Sequence, residues 1–292
     1  MRGLHKAPYI PVLIGMGFLS SLLQAGGSPA AVPYGANAAA GHFLKVADAR
    51  IYYETYGSGG TPLVLLHGGL YGYIAEFDDL IQEMSRHRRV IAIATRGHGE
   101  SEIGTQAFSY ELFANDALAV IRNETNRKVD VLGFSDGALT SYLLAGEHPE
   151  IVRRLVAIGG PRGTQDWTEK ALKEFNGSQI SDVEKNDPQF VSDRKKLMPE
   201  PERWDELVAR LTKLEGVPLI ITDQQIRSIK APTLIIAGDR DPYNQTAKFL
   251  EIYHLLSHGQ LMIVPNCGHL VLYRESQLTI AAVARFLDKP DP

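Results

Sequence analysis

The stretch that most limits how this chain can fold runs Lys128-Val129-Asp130-Val131-Leu132-Gly133-Phe134-Ser135-Asp136-Gly137. An apolar, β-branched run ends in Gly-Phe-Ser-Asp-Gly, and a helix-forming run over 138–147 follows at once and stops before Pro149. Strand, sharp turn and helix in that order make a G-x-S-x-G pattern meaningful. A serine on such a turn projects its hydroxyl clear of the backbone. Gly133 and Gly137 let the strand and the helix approach closely. The helix N-terminus offers unpaired N–H groups and the positive end of its dipole to a developing anion. An ordinary turn of a parallel sheet also fits these residues, so the rest of the chain has to decide.

Outside the first forty residues, short apolar runs alternate with helical spacing. Residues 50–56, 62–66, 89–94, 151–158, 232–237 and 260–265 read as strands, several of them apolar on both faces. Residues 74–84, 110–121, 246–256 and 277–287 carry helical periodicity. That alternation predicts an α/β fold with a mostly parallel central sheet and helices on both faces. Residues 162–230 break the pattern. They are rich in charge, poor in β-branched runs, and carry Trp167, Phe175, Phe190 and Trp204 at mostly helical spacing, which predicts a helical insertion. The expected organisation is therefore a segment 1–40, a core of 41–161 and 231–292, and the insertion 162–230.

A serine hydroxyl is a weak nucleophile at neutral pH and needs a base, which in turn needs an orienting acid. Functional groups of an open parallel sheet collect at the carboxyl ends of its strands. Ser135, Asp239, Asp241 and His269 each stand just after a predicted strand, in the order Ser, Asp, His. Of nine histidines, only His269 has both that position and that order. Asp241 is the preferred acid, and Asp239, nearer the strand end, is expected to bond the turn's backbone. The two oxyanion donors are expected to be the backbone N–H of Asp136 and that of Gly69 or Leu70, in the turn after the strand 62–66. His67 is read as structural, bonding that loop. Cys267, two residues before His269, lacks the strand–turn–helix context and is read as a small apolar filler.

The charge and the N-terminus narrow the field further. Arg2 and Lys6 form a short basic region, 10–23 is apolar, and 24–41 is small, polar and rich in Pro and Gly. This predicts a secretory signal peptide, with Ala36-Asn37-Ala38 or Ala38-Ala39-Ala40 as the cleavage site, and an uncleaved membrane anchor as the alternative. Secreted or periplasmic localisation follows, with no stable membrane association after cleavage. Removing Arg2 and Lys6 takes the formal charge of −4 to −6. A mildly acidic chain without a basic cluster argues against nucleic acid. One cysteine excludes an internal disulfide. No metal-ligand spacing or phosphate-binding glycine loop is present, so neither a metal nor a cofactor is expected.

From His67-Gly68-Gly69 through Arg96-Gly97-His98-Gly99-Glu100-Ser101, the Gly133–Gly137 turn and Gly238-Asp239-Arg240-Asp241 to Gly268-His269, the chain resembles the α/β-hydrolase fold family. The resemblance spans roughly residue 41 to the end. It implies Ser135 as nucleophile, Asp241 as acid and His269 as base, with 162–230 as a cap over the site. It implies a serine hydrolase acting on a small or medium ester. Amides, peptides and lactones are alternative substrates, and ligand reception without turnover is a further one. Ala94 departs from the family, which often has an acidic residue there. The Gly-x-Ser-Asp-Gly form is similar to that of valacyclovir hydrolase, an α-amino-acid ester hydrolase, and by that resemblance Asp136 would contact a substrate ammonium.

Overall fold

A four-residue run with no polar side chain, such as Leu63–Leu66, has to be covered on both sides, and all four residues are buried. The computed structural model describes residues 32–174, 183–216 and 221–290, and the chain from Pro33 on forms a compact unit. Eight strands make one sheet. They are β1 (Gly41–Val46), β2 (Ala49–Tyr56), β3 (Leu63–Leu66), β4 (Val90–Ile93), β5 (Val129–Phe134), β6 (Val152–Ile158), β7 (Thr233–Gly238) and β8 (Gly259–Val264), in the order β1-β2-β4-β3-β5-β6-β7-β8. The β1/β2 and β2/β4 pairs are antiparallel and the other five are parallel.

Alternate residues of the central strands feed opposite faces. Val64, Leu66, Ile91, Ile93, Val129 and Val131 pack with Phe113, Ala117, Val120 and Ile121 of α2 (Tyr110–Glu124) and with Leu139 and Leu143 of α3 (Asp136–Glu147). Leu63, Leu65, Val90, Ala92 and Leu132 pack with Leu80, Ile81 and Met84 of α1 (Asp78–Met84) and with the closing helix. Each such side chain contributes roughly 1.5–3 kcal/mol by leaving water. A charge at Val131 would therefore break the core between sheet and helices.

Between β6 and β7 the described residues are helical: α4 (Glu169–Glu174), α5 (Val183–Asn186), α6 (Pro188–Leu197), α7 (Trp204–Gly216) and α8 (Asp223–Ser228). Local chemistry starts two of them. Asp187 accepts from the N–H of Phe190 with Pro188 at the first helical position, and Thr222 with Gln225 forms a capping box. Trp204 is buried and Phe190 packs beside it; Phe175 lies outside the described residues. After β7 come α9 (Thr246–Leu255), then β8, the short α10 (Val271–Arg274) and α11 (Ser276–Leu287).

The structure adds short elements to the sequence reading and moves one boundary. β1 has no strand pattern because it is an edge strand with little buried on either face, and Phe43 is 48% exposed. The helix expected over 74–84 begins as a 3₁₀ turn, Ile74–Phe77, which turns the Glu76 carboxyl inward. The start of the fold, expected at Gly41, lies at Pro33. The N–H groups of Gly35 and Asn37 donate to buried Glu54 at 2.9 and 2.8 Å, alongside the hydroxyls of Tyr52 and Tyr56 at 2.7 and 2.8 Å. The 33–37 stretch is thus part of how a buried carboxylate is satisfied. Among the described residues no helix is long and apolar enough to cross a membrane.

A chain beginning at Gly41 leaves Glu54 short of two backbone donors, which costs about 2 kcal/mol. Thermal unfolding should show it melting roughly 5 °C below a chain beginning at Pro33. Equal melting temperatures would mean that the stretch does not anchor the fold.

Candidate active site

The strand order places the site. β3 has β4 on one side and β5 on the other, so the chain's winding direction reverses between β3 and β5. A crevice opens at the carboxyl ends of two such strands. The loop after β3 begins with His67, and the turn after β5 is Ser135.

Ser135 has φ 52° and ψ −117°, a conformation that costs an L-residue about 1–3 kcal/mol. The surrounding packing imposes it. A Cβ on Gly133 would lie 2.2 Å from the carbonyl oxygen of Gly137, and one on Gly137 would lie 1.9 Å from that of Leu66. The end of β5, the first turn of α3 and the end of β3 therefore meet backbone to backbone. Asp136 is the first residue of α3, so its N–H has no intrahelical acceptor.

His269, in the loop after β8, accepts that geometry. Its Nε2 lies 3.0 Å from Ser135 Oγ and its Nδ1 lies 2.8 Å from Asp241 Oδ2. Burial works against ionising Asp241, but the His269 ring and the N–H groups of Tyr243 and Asn244 outweigh it and hold the carboxyl below its usual range. An ionised carboxylate only accepts, so Nδ1 carries a proton and Nε2 is free to take one from Ser135. Asn244 steadies the carboxylate: its Nδ2 donates to Asp241 Oδ2 and to the Gly159 carbonyl, each at 3.2 Å. Phe134 and Tyr243 flank the His269 ring with centroids at 5.3 and 5.1 Å. Asp239, as its position suggests, bonds backbone, accepting from the N–H of Cys267 at 3.2 Å.

The loop after β3 is held from behind. His67 bonds the Gly68 carbonyl through Nδ1 at 2.7 Å and accepts from the Thr95 N–H through Nε2 at 2.9 Å. Burial pushes its pKa well down, so it is a neutral tie. Glu76 accepts from the Gly68 N–H at 2.7 Å, and the Gly72 N–H closes a turn on the Gly69 carbonyl at 2.7 Å. Among the described residues no protein acceptor takes the Gly69 N–H. Leu70 buries its side chain in the core. Gly69 lies against the first turn of α3, since a Cβ there would stand 2.9 Å from Asp136 Oδ2.

The sequence pattern did not single out Glu215, on α7 of the insertion. The same Gly69 Cβ position is 3.4 Å from Glu215 Oε1, so two carboxyls converge on one glycine beside the nucleophile. The buried Tyr110 hydroxyl lies close enough to Asp136 to lower its carboxyl against burial, and Glu215 Oε2 is buried with no partner among the described residues. Burial raises both carboxyls, and the charge of Asp136 pushes Glu215 well above its usual range. The pair therefore keeps a proton where isolated carboxyls would have lost it. Helix periodicity could have pointed to Glu215, because it follows the buried positions Leu207, Leu211 and Leu214 on α7. Cys267 is buried and its thiol is pushed up by burial, unsuited to attack. No group of three or more His, Cys, Asp or Glu among the described residues could hold a metal.

A serine on a strained strand–helix turn, with a histidine and an aspartate behind it, is an arrangement for nucleophilic hydrolysis. Residues 63–282 match the model of the alpha/beta hydrolase family, and the chain belongs to that family. It is a hydrolase of that class. It is 25% identical over 246 residues to a putative esterase/lipase of Haemophilus influenzae, covering 78% of this chain and 84% of that one. It is 28% identical over 259 residues to the sn-1-specific diacylglycerol lipase ABHD11 of Mus musculus, covering 79% and 82%. The enol-lactonase from Burkholderia xenovorans LB400 superposes with a TM-score of 0.68 at 18% identity, covering 85% of this chain and all of that one, and shares the fold.

Ser135→Ala should fold as the parent does and lose at least about a thousandfold in turnover. Ser135→Gly should be equally inactive and melt a few degrees higher, because glycine adopts a positive φ without strain. Parent-level turnover in Ser135→Ala would remove Ser135 from the chemistry, and a lower melting temperature in Ser135→Gly would show the turn is unstrained.

Proposed function

We propose that the chain is a serine hydrolase of small or medium carboxylic esters that works through an acyl-enzyme. The observation that carries this reading is the unbroken contact from Ser135 Oγ through the His269 ring to Asp241, at 3.0 and 2.8 Å. Ser135 Oγ attacks the ester carbonyl carbon while His269 Nε2 takes its proton. The carbonyl oxygen becomes an oxyanion, held by the N–H groups of Asp136 and of Gly69 or Leu70. The tetrahedral intermediate collapses, the C–O bond to the leaving alkoxide breaks, and His269 returns the proton to that oxygen. Water repeats the sequence on the acyl-enzyme and frees Ser135. Asp241 holds the ring and balances the imidazolium charge. The partner is a small-molecule ester, and the helices between β6 and β7 act as the cap. The basic and apolar start of the chain directs it to the secretory route, with cleavage before Pro33 rather than within 36–40, so that Gly35 and Asn37 stay on Glu54.

The acid pair favours a finer reading. A carboxylate beside an oxyanion site opposes the transition state unless it is protonated or meets a cation. An ester with an ammonium group near its carbonyl would replace the shared proton of Asp136 and Glu215 and supply that cation. Lactones and amides are the alternative for the scissile bond.

Intact-mass labelling by a fluorophosphonate should give one adduct on the parent chain, greatly slowed in Ser135→Ala and His269→Ala. No adduct on a folded parent chain would overturn the mechanism and favour ligand reception without turnover. In a substrate panel, amino-acid esters should exceed matched neutral esters in kcat/KM by roughly 10- to 100-fold. Asp136→Asn should erase most of that ratio, and a ratio unchanged in Asp136→Asn would refute the cation site.

A further inference from the structure

Beneath the active-site loop lies a carboxyl with no part in the chemistry above. Glu76 comes from the 3₁₀ turn before α1 and is only 8% exposed. Its Oε2 accepts from the Gly68 N–H at 2.7 Å, and its Oε1 accepts from the Tyr273 hydroxyl at 3.0 Å. Gly68 precedes Gly69, one of the expected oxyanion donors, and a Cβ on Gly68 would stand 3.5 Å from Ser135 Cβ. Tyr273 sits on α10, the helical turn that follows His269 directly, and Phe134 packs against both rings. One carboxyl thus ties the loop after β3 to the segment that carries His269.

The charges around it are few. The His269 ring and the Arg194 guanidinium, from α6 of the insertion, lie within electrostatic reach of Glu76. Arg194 itself stacks 3.6 Å above the Tyr73 ring and donates to the Tyr71 carbonyl at 2.7 Å. Asp78 faces Tyr273 from the start of α1. No ion pair at contact distance joins Glu76 to Arg194 among the described residues. A buried carboxyl that is only partly compensated costs stability, and a hydrogen-bonded amide of the same shape would cost less.

We propose that Glu76 is a positioning residue for the reaction at Ser135: it pins Gly68 so that the next amide points at the oxyanion, and its ionised form balances the positive charge that develops on His269. The inference rests on the serine-hydrolase reading and adds a second ionisation to it. Burial pushes the Glu76 carboxyl up to about 7, against the pull of the Gly68 and Tyr273 hydrogen bonds. The ionised fraction therefore falls as pH drops through that value, and the clamp loses its charge. The sign for stability is opposite. The folded chain holds this proton more tightly than the unfolded chain, whose carboxyl titrates near 4.5. Glu76 accordingly costs stability as pH rises from the unfolded value through the folded one.

The test needs no substrate. Fluorophosphonate labelling rates are measured by intact mass from pH 5 to 9 on the parent chain, Glu76→Gln and Tyr273→Phe, with melting temperatures at the same pH values. On the parent chain the logarithm of the rate should fall on the acid side with a slope that includes one proton from Glu76. In Glu76→Gln the slope should drop by one, the plateau rate should fall about 10-fold, and the melting temperature should exceed the parent's by a margin that grows as pH rises. Tyr273→Phe removes one hydrogen bond to the carboxylate and should move the acid limb to higher pH. No labelling of the folded parent chain would overturn the serine mechanism itself. Normal labelling with the parent slope and plateau in Glu76→Gln would overturn the role of Glu76 alone. If Glu76→Gln fails to fold, an unmoved acid limb in Tyr273→Phe overturns it instead.

Discussion

Backbone contact between the end of β5, the first turn of α3 and the end of β3 is the constraint on which the site depends. Gly133 and Gly137 permit it, and any side chain at either position would meet a carbonyl oxygen at about half a normal contact distance. The contact forces Ser135 into its positive φ. It brings the N–H of Asp136 and the loop after β3 to the same crevice. It also depends on β3 and β5 being neighbours in the sheet although β4 lies between them in the chain. Stability is given up at Ser135 and recovered in the two apolar layers that grip the sheet.

The sequence was most informative where one local rule acts alone. Strands buried on both faces have a single reading, and so did β3 to β7. The three catalytic candidates were legible because each stands just after a strand, Ser135 and Asp241 after ones buried on both faces and His269 after the half-buried β8. Ser135, Asp241 and His269 do come together, and Asp239 takes the backbone role its position implied. β1 escaped notice because an edge strand has no buried face to leave a pattern. The Pro33–Asn37 stretch looked like linker because its role is to donate backbone N–H groups, which no side chain advertises. Glu215 and Glu76 escaped for a third reason. Glu76 looks like an ordinary surface carboxylate, and only the tertiary fold turns it inward; Glu215 continues the buried face of its helix, but a carboxylate there is easily taken for the edge of that face.

Those two glutamates, with Asp136, give the site an uneven electrostatic character. One carboxyl lies behind the loop after β3 and two lie in front of it. His67 and His98, buried and held neutral by desolvation, add hydrogen bonds there without charge. Arg194, buried and stacked on Tyr73, brings positive charge from the insertion to the same region. The insertion thus contributes charge to the site.

Cys267 has a consequence outside catalysis. It is the chain's single cysteine, it is 4% exposed, and its backbone joins Asp239 and Arg240 in the turn before His269. A protein with one enclosed thiol has no covalent cross-link to form or to lose. Its folded state is therefore indifferent to redox potential: glutathione has nothing to reduce, and a disulfide-forming oxidase has no pair to join. Folding before or after passage into an oxidising compartment leads to the same covalent molecule.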